Sequence, residues 1–315
     1  MKITCYGAGT IGLAWAVVFL QGGHSVTLYN TRQSSSEKAQ KKMSEIFSYL
    51  EKKGLTTKDK ALEAIKNARF TTDAKEALEG ADFVQESTPE ILEKKQEVFA
   101  LFETILSPET VIASSTSGLL MTEMACQAKY KERFLIGHPY TPVYLLPLVE
   151  IVRGRDTSDA AVKIAKDLYT QVGKTPVVLN KEVPGFIGNR IQSAVMREAY
   201  DLVEQGVCSV ADVDQAISNS VGIRWGIIGP HLTNEVGGGP QGFKGLLEKI
   251  GPSLENVLST MNSEAKFPEG YAEKGQEGVR EAMSQRPAGT GKSHDELAEY
   301  MNDGIIHIMK FKGLL

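Results

Sequence analysis

The chain opens with a short apolar segment that runs directly into a glycine turn, and this feature restricts its fold more than any other. Ile3–Tyr6 has the composition of a buried β-strand. A G-x-G-x-x-G motif formed by Gly7, Gly9 and Gly12 follows it, and the apolar stretch Leu13–Leu20 comes next. Strand, glycine turn and helix in this order predict the first unit of a doubly wound α/β domain.

The three glycines differ in their predicted tasks. Gly7 permits a tight turn, Gly9 lets the backbone approach a pyrophosphate, and Gly12 lets helix and strand pack closely. The peptide N–H groups at the helix start, which include those of Thr10 and Ile11, then face the anion. Because a second strand, Ser25–Tyr29, follows the helix, the context favours a dinucleotide site over a glycine turn without a ligand.

The end of the second predicted strand bears on the choice of cofactor. An acidic residue is expected here to bind the adenosine ribose, but the sequence has Asn30 followed by Thr31 and Arg32. Asn30 can bond a hydroxyl without repelling a 2′-phosphate, and Arg32 can neutralise one or simply point into solvent. The prediction is NAD, with NADP open.

Alternating strands and helices continue to about residue 183. A Rossmann dinucleotide-binding domain is therefore predicted over 1–183, with a mostly parallel, doubly wound sheet. From residue 184 to 315 helical periodicity dominates, with Ser209 and Ser293 as helix starts, so a smaller all-helical domain is predicted. Eight segments have strand character: Ile3–Tyr6, Ser25–Tyr29, Phe70–Thr72, Phe83–Glu86, Val111–Ser114, Phe134–Gly137, Leu148–Val152 and Pro176–Leu179.

Composition excludes several classes of function. The formal net charge of -4 gives no general attraction to nucleic acid or to anionic membranes. No apolar run approaches the ~18 residues that a membrane span needs. The three cysteines show no spacing typical of metal ligands or of a redox pair. We expect no metal, no nucleic-acid or membrane partner, and a cytoplasmic location.

Three later segments contain residues suited to a catalytic site: Ala113–Ser117, His138–Glu150 and Gly185–Arg190. Together with the glycine turn, their order and spacing resemble the 3-hydroxyacyl-CoA dehydrogenase superfamily. The resemblance covers the whole N-terminal domain and extends into the first helix after it. A further segment, Gly222–Pro230, looks more like the branch that acts on small free acids, which includes L-carnitine dehydrogenase and the lambda-crystallin-like L-gulonate 3-dehydrogenase.

The resemblance implies a set of site residues. His138 falls on the family's catalytic base and Glu150 on the carboxylate that orients it, a pairing that suits removal of a hydroxyl proton during hydride loss. Ser117 and Asn189 fall on the residues that hydrogen-bond the reacting oxygen, although a strand-end cap and a local backbone bond are open alternatives. Glu90 and Lys95 fall on contacts to the nicotinamide ribose, or else form a plain surface pair.

Two positions bear on the substrate. Thr141 stands where the family motif usually has Asn, which removes an amide donor and puts substrate identity in doubt. Arg224 lies in an apolar, glycine-bounded segment, and its guanidinium suits the carboxylate of a small 3-hydroxy acid, unless it is a packing or surface arginine. Trp225 either lines the pocket or packs in the core, and an aromatic face would suit a quaternary ammonium group.

Two other readings stay open. A true acyl-CoA dehydrogenase would need basic residues for the CoA phosphates, a role for Lys41, Lys42, Lys52 and Lys53 unless these form a solvated helix face. A structural, non-catalytic protein is disfavoured by the intact set of site residues. The apolar helical faces after residue 185 predict a homodimer formed through the helical domain.

Overall fold

A computed structural model describes all 315 residues, and its centre is a single sheet of eight strands in the order β3-β2-β1-β4-β5-β6-β7-β8. Every predicted strand is present, with ends shifted by at most two residues, and the α/β class is confirmed. The strands are β1 Lys2–Tyr6, β2 Ser25–Tyr29, β3 Ala68–Thr71, β4 Phe83–Glu86, β5 Val111–Ser114, β6 Phe134–Pro139, β7 Leu148–Arg153 and β8 Thr175–Leu179.

The sheet is parallel except at one junction. β7 runs antiparallel to β6 and parallel to β8, whereas all other neighbours are parallel. The direction of the strand order reverses between β1 and β4, which are neighbours in the interior of the sheet. In open α/β sheets, ligands bind outside the carboxyl ends of the strands at such a switch point. The glycine turn after β1 lies at this position.

The helices of the sheet region pack apolar faces against it. Helix α1 is buried along nearly its whole length because its residues are almost all apolar, and its Trp15 and Phe19 rings stack at 5.2 Å. A second cluster on α5, with Phe99 and Phe102, packs with Phe134 of β6. These helices are α1 Thr10–Gln21, α2 Gln33–Lys52, α3 Lys58–Lys66, α4 Ala74–Leu78, α5 Leu92–Ile105, α6 Met121–Met124 and α7 Asp159–Gln171.

The chain divides into two compact units, Met1–Asn189 and Arg190–Leu315. The first unit extends beyond the predicted boundary at residue 183 for a physical reason. Phe186 is fully buried in the core cluster of this unit, and the backbone of Ile187 and Gly188 hydrogen-bonds to Glu150 of β7. The segment that enters the next helix is therefore part of the first unit.

The second unit is helical throughout. Ser209, a predicted helix start, caps α9 and forms a full capping box with Asp212. Ser293 caps α14, but the Glu296 carboxylate accepts from the Lys292 amide instead of completing a box. None of the helices of the chain has both the length and the apolar composition that crossing a bilayer requires. The helices are α8 Gly188–Glu204, α9 Val210–Ser218, α10 Val221–Ile227, α11 Pro230–Gly237, α12 Gly242–Leu258, α13 Tyr271–Gln285 and α14 His294–Phe311.

Candidate active site

The glycine turn has the geometry that its spacing predicts. Gly7 has a φ of +100°, and a Cβ on Gly12 would lie 1.8 Å from the Gly7 carbonyl oxygen, so no larger residue fits either position. A Cβ on Gly9 would meet nothing within 4 Å. Gly9 also begins α1 without a side-chain cap, and the first turn contains no acidic residue. An open backbone and uncapped amides at a helix start fit the pyrophosphate of a dinucleotide.

The end of β2 carries no carboxylate. The Asn30 backbone N–H bonds to the Thr71 carbonyl, and its side-chain amide reaches the Ser36 hydroxyl at 3.5 Å. Arg32 precedes α2 with its side chain exposed. The structure therefore leaves a free guanidinium at the end of the strand where a ribose contact is expected.

His138 and Glu150 form a buried pair. They are directly opposite each other in the antiparallel register of β6 and β7, where facing side chains are close neighbours. His138 Nδ1 lies 2.8 Å from Glu150 Oε2, and His138 is 5% exposed while Glu150 is fully buried. Nε2 of the ring has no partner in the chain. If Nδ1 donates to the carboxylate, Nε2 holds the free lone pair.

The second oxygen of Glu150 is held by backbone. Oε1 accepts from Ile187 N at 2.8 Å and from Gly188 N at 3.0 Å, at the start of α8. Phe186, with a φ of 55°, turns the chain so that both amides face the carboxylate. Burial alone would raise the pKa of Glu150, but the bonds from His138 and the two amides outweigh it and lower the pKa. Glu150 is therefore a carboxylate at neutral pH.

Glu90 organises the loop after β5. Its Oε1 accepts from Ser117 N at 2.9 Å and from Gly118 N at 3.2 Å, and it also bonds the Thr116 hydroxyl. The Thr116 hydroxyl in turn accepts from the Leu119 amide at 3.0 Å, so Thr116 caps this turn. Ser117 is not the cap. Its exposed hydroxyl has one long contact, to Glu90 at 3.4 Å.

Asn189 reaches the same loop from the start of α8. Its amide nitrogen donates to the Ser117 carbonyl at 3.0 Å, a bond between distant parts of the chain and not a local one. Its amide oxygen accepts from the Tyr140 hydroxyl at 3.3 Å. The Tyr140 ring also contacts the His138 ring, with centroids 5.0 Å apart. Burial raises the pKa of Tyr140 to about 12, so it acts here as a neutral donor.

Lys95 is not part of a surface pair, and that alternative is wrong. Its side chain is 1% exposed, and its ammonium lies 2.9 Å and 3.1 Å from the two oxygens of the fully buried Glu86. It also donates to the Thr88 carbonyl at 3.2 Å and lies 3.7 Å from Glu90 Oε2. Lys95 is buried on α5, and its ammonium group lies next to the carboxylate of Glu86, the last residue of β4.

The loop between β6 and β7, which contains Thr141, is anchored by a buried lysine. Lys174 donates to the carbonyls of Val143 and Leu146 and lies 5.7 Å from the Trp15 ring. Burial lowers the pKa of Lys174 to about 7. Thr141 itself is exposed in this loop.

The first unit thus brings together His138, Glu150, Ser117 and Asn189, with Glu90 and Lys95 alongside. Arg224 and Trp225 lie on α10 in the second unit, both with exposed side chains. Sequence reasoning missed Tyr140, Phe186 and Glu86. A signal for Glu86 was present, since an acidic residue ends a predicted β-strand, and Tyr140 lies within the motif that contains His138.

Comparison with known protein families divides the chain at nearly the same place as the structure. The NAD binding domain of 3-hydroxyacyl-CoA dehydrogenase matches residues 2–183. The C-terminal domain of 3-hydroxyacyl-CoA dehydrogenase matches residues 185–282. The first unit is therefore a nicotinamide dinucleotide-binding domain.

Individual relatives extend over most of the chain. L-carnitine dehydrogenase of Streptomyces griseus is 35% identical and aligns with 100% of this chain and 90% of its own length. A 3-hydroxyacyl-CoA dehydrogenase of Gibberella moniliformis is 40% identical over 80% of this chain and 78% of its own. The solved structure of an NAD+-dependent 5-formyl-3-hydroxy-2-methylpyridine 4-carboxylic acid 5-dehydrogenase superposes with a TM-score of 0.80 and 26% identity, covering 99% of this chain and 97% of that one. By fold, domain matches and relatives alike, the chain belongs to the 3-hydroxyacyl-CoA dehydrogenase family.

Proposed function

We propose that the chain is a dehydrogenase that oxidises the 3-hydroxyl of a small hydroxy acid of the carnitine or gulonate type. One observation carries the catalytic part of the proposal. His138, held by Glu150 at 2.8 Å, has an Nε2 without a partner at the carboxyl edge of a dinucleotide-binding sheet. A neutral imidazole at this position suits the removal of a hydroxyl proton.

The proposed chemistry divides the work among the four residues. His138 Nε2 takes the hydroxyl proton, and Glu150 stabilises the imidazolium that forms. The Ser117 hydroxyl and the second N–H of the Asn189 amide hydrogen-bond the reacting oxygen as it becomes a carbonyl. When bound, the nicotinamide cofactor accepts the hydride from the same carbon.

The substrate class rests on Arg224 and on the relatives. The guanidinium of Arg224 is exposed on α10 and provides two parallel donors for a carboxylate. Several relatives over nearly the full chain are named L-carnitine dehydrogenase. The alternative is an acyl-CoA substrate, favoured by the relative named 3-hydroxyacyl-CoA dehydrogenase. Of the lysines considered for CoA phosphates, Lys42 forms an exposed ion pair with Glu45 at 3.1 Å, and a pair of this kind does not separate the two substrate classes.

An initial-rate screen tests the function directly. L-carnitine, L-gulonate and 3-hydroxybutyrate are compared with 3-hydroxybutyryl-CoA, by absorbance of the reduced nicotinamide. We expect kcat/KM for the best free acid to exceed that for the CoA ester by at least ~10-fold, because the ester lacks the carboxylate that Arg224 would bind. Turnover of the CoA ester alone would select the alternative, and no turnover of any compound would exclude both.

Arg224→Ala is expected to raise KM for the best free acid by about 10- to 100-fold, since a charge-assisted bond to a carboxylate contributes ~1.5–3 kcal/mol. The change in kcat should be small, because the carboxylate is not the group that reacts. Arg224→Lys keeps the charge without the planar fork, and it should recover part of the loss. An unchanged KM in Arg224→Ala would rule out this carboxylate site.

For the cofactor we propose NAD, as the family domain indicates. NADP is a second candidate because Asn30 does not repel a 2′-phosphate and the exposed Arg32 could neutralise one. The two are separated by the ratio of kcat/KM for NAD and NADP in the unmodified chain and in Arg32→Ala. If Arg32 binds a 2′-phosphate, the variant loses activity with NADP only.

Gly9→Ala is expected to raise the dissociation constant for NADH by at least ~10-fold while leaving the melting temperature within about 2 °C, since a methyl group here meets no protein atom but occupies the approach to the pyrophosphate. Fluorescence titration with NADH measures the effect. Gly229→Ala is the matched control, because Gly229 also begins a helix and a Cβ there also meets nothing within 4 Å. Equal NADH affinities of the unmodified chain, Gly9→Ala and Gly229→Ala would exclude a pyrophosphate at Gly9.

We propose further that the chain forms a homodimer through its helical unit. Helices α9, α10, α11 and α13 contain no buried residue. On α12 a row of apolar side chains at helical spacing is exposed: Leu247 at 49%, Ile250 at 36%, Leu254 at 45% and Leu258 at 64%. An apolar helix face of this kind is expected to be covered, and a second copy is the simplest partner.

Leu254→Glu is therefore expected to convert the dimer to a monomer at micromolar concentration, because it places a charge in the centre of the apolar row. Sedimentation velocity measures the mass. Asn256→Glu introduces the same charge on the opposite side of α12, where the side chain is also exposed, and should leave the dimer intact. A monomeric unmodified chain would refute the dimer itself.

A further inference from the structure

Two serines at the carboxyl edge of the sheet form a hydroxyl pair that is separate from the four proposed catalytic residues. Ser87 comes directly after β4 and Ser115 directly after β5, and their Oγ atoms are 2.9 Å apart. The parallel register pairs Gln85 with Ala113, so the serines two residues further on lie on the same face of the sheet and are neighbours. Both side chains are half-buried. The pair therefore lies at the edge where sheets of this kind bind ligands.

A buried glutamine fixes the orientation of the pair from below. Gln85 Nε2 donates to Ser115 Oγ at 2.8 Å and to the Gly137 carbonyl at 3.3 Å, and its amide oxygen accepts from the Tyr169 hydroxyl at 2.7 Å. Gln85 and Tyr169 are fully buried. Because a carbonyl can only accept, the nitrogen of the Gln85 amide has to face Gly137, and it faces Ser115 as well. Ser115 is thus an acceptor on its buried side.

The number of hydroxyl protons then determines what the pair can offer. Ser87 and Ser115 contribute one proton each, and one of the two protons is used in the bond between them. The bond from Gln85 uses a lone pair of Ser115 and no proton of the pair. The hydroxyls have no further hydrogen bond within the chain. One O–H group is therefore available to donate to a ligand at this edge.

The pair lies beside the glycine turn. A Cβ on Gly7 would be 2.6 Å from the Ser87 carbonyl oxygen, and a Cβ on Gly12 would be 3.3 Å from the Ser87 Cβ. On the other side, Ser115 leads directly into the loop that carries Ser117. The hydroxyl pair is thus between the turn that fits a pyrophosphate and the loop of a proposed catalytic residue.

The strand order indicates which part of a dinucleotide passes over this edge. The strands follow the order β2-β1-β4-β5-β6, with the expected contact to the adenosine ribose at the end of β2 and His138 on β6. Three strand spacings, about 14 Å, separate β1 from β6. A cofactor with its pyrophosphate at the turn after β1 has to cross the ends of β4 and β5 before its nicotinamide is beside His138. The nicotinamide half is therefore the part that the pair would contact.

We propose that Ser87 and Ser115 bind the nicotinamide nucleoside of the cofactor by donating one hydrogen bond to an oxygen of its ribose or of its carboxamide. Gln85 is the positioning residue for this donor, because its N–H occupies the buried side of Ser115 and leaves the remaining O–H directed outward. The proposal rests on the nicotinamide cofactor of the proposed function, and it does not depend on which hydroxy acid is oxidised.

Calorimetric titration of the double variant Ser87→Ala/Ser115→Ala with NADH and with ADP tests the site without turnover. The variant is expected to bind NADH about 5- to 10-fold more weakly than the unmodified chain, as the loss of one hydrogen bond predicts. Its affinity for ADP, which lacks the nicotinamide nucleoside, should change by less than about twofold. Titration with ADP-ribose then assigns the acceptor: a loss like that for NADH places it on the ribose, and an unchanged affinity places it on the carboxamide.

Ser25→Ala is the matched control, because Ser25 is an exposed serine at the amino end of β2, on the opposite edge of the sheet. It should leave all three affinities within about twofold of the original. Thermal melts establish that each variant is folded, and Ser87→Ala alone, which keeps the acceptor of Gln85, gives the same comparison if the double variant is not.

Two results overturn the proposal while leaving the cofactor in place. One is a folded double variant with unchanged affinity for NADH. The other is an equal loss of affinity for NADH and ADP, which would place the serines at the pyrophosphate. Failure of the unmodified chain to bind NADH would instead refute the nicotinamide cofactor of the proposed function, and this site with it.

Discussion

Replacing His138 by glutamine is expected to lower kcat/KM for the best hydroxy acid about a thousandfold, the centre of the range for loss of a general base. Glutamine can still donate to the Glu150 carboxylate, which lies 2.8 Å from the imidazole nitrogen in the unmodified chain. It has no basic nitrogen in place of Nε2, so the hydroxyl proton has no acceptor. Steady-state rates measure the loss, and NADH titration should give a dissociation constant within about threefold of the original.

The control for this substitution is His231→Gln, which changes an exposed histidine of the second unit. Its kcat/KM should be unaltered. A loss of less than tenfold in His138→Gln would assign the base to another group.

The strands were predictable because of where they lie in the sheet. β4 and β5 are four residues long and buried at every position, as expected in a sheet that helices cover on both faces. Such strands are recognisable in the sequence as short segments of mostly non-alternating residues between polar turns. Helix α1 begins at Thr10, earlier than the predicted Leu13, because the second half of the glycine motif already forms its first turn. The pairing of His138 with Glu150 follows from an antiparallel register that spacing alone does not reveal.

Other parts of the site depend on contacts between elements distant in sequence. The burial of Lys95 requires β4 and α5 to place Glu86 beneath its ammonium, whereas lysine is ordinarily an exposed residue. The positive φ of Phe186 is likewise invisible in sequence, since non-glycine residues rarely adopt it. In the second unit the helices are predictable but the sparse burial is not, because periodicity shows that a face is apolar without showing what covers it.

Replacing Lys95 by methionine is expected to destabilise the first unit by about 3–5 kcal/mol, because removing one partner of a buried ion pair leaves the other charge without compensation. Glu86 is fully buried, and only the hydroxyls of Ser114 and Thr88 and the Thr88 amide would still donate to it. For a chain of this size the melting temperature should fall by roughly 6–15 °C, which calorimetry measures.

Lys94→Met provides a matched control, since the adjacent Lys94 forms an ion pair with Glu97 at 2.8 Å whose side chains are 59% and 64% exposed. Exposed pairs contribute ~0–1 kcal/mol, so this variant should melt within about 3 °C of the unmodified chain. Adding Glu86→Gln to Lys95→Met removes the stranded charge while leaving an acceptor for Ser114, and it should recover about half of the lost stability. Because Glu90 lies beside Lys95 and holds the Ser117 loop, activity should fall with the single variant and return in part with the double one. If Lys95→Met and Lys94→Met have the same melting temperature, the buried ion pair of Lys95 and Glu86 does not stabilise the fold.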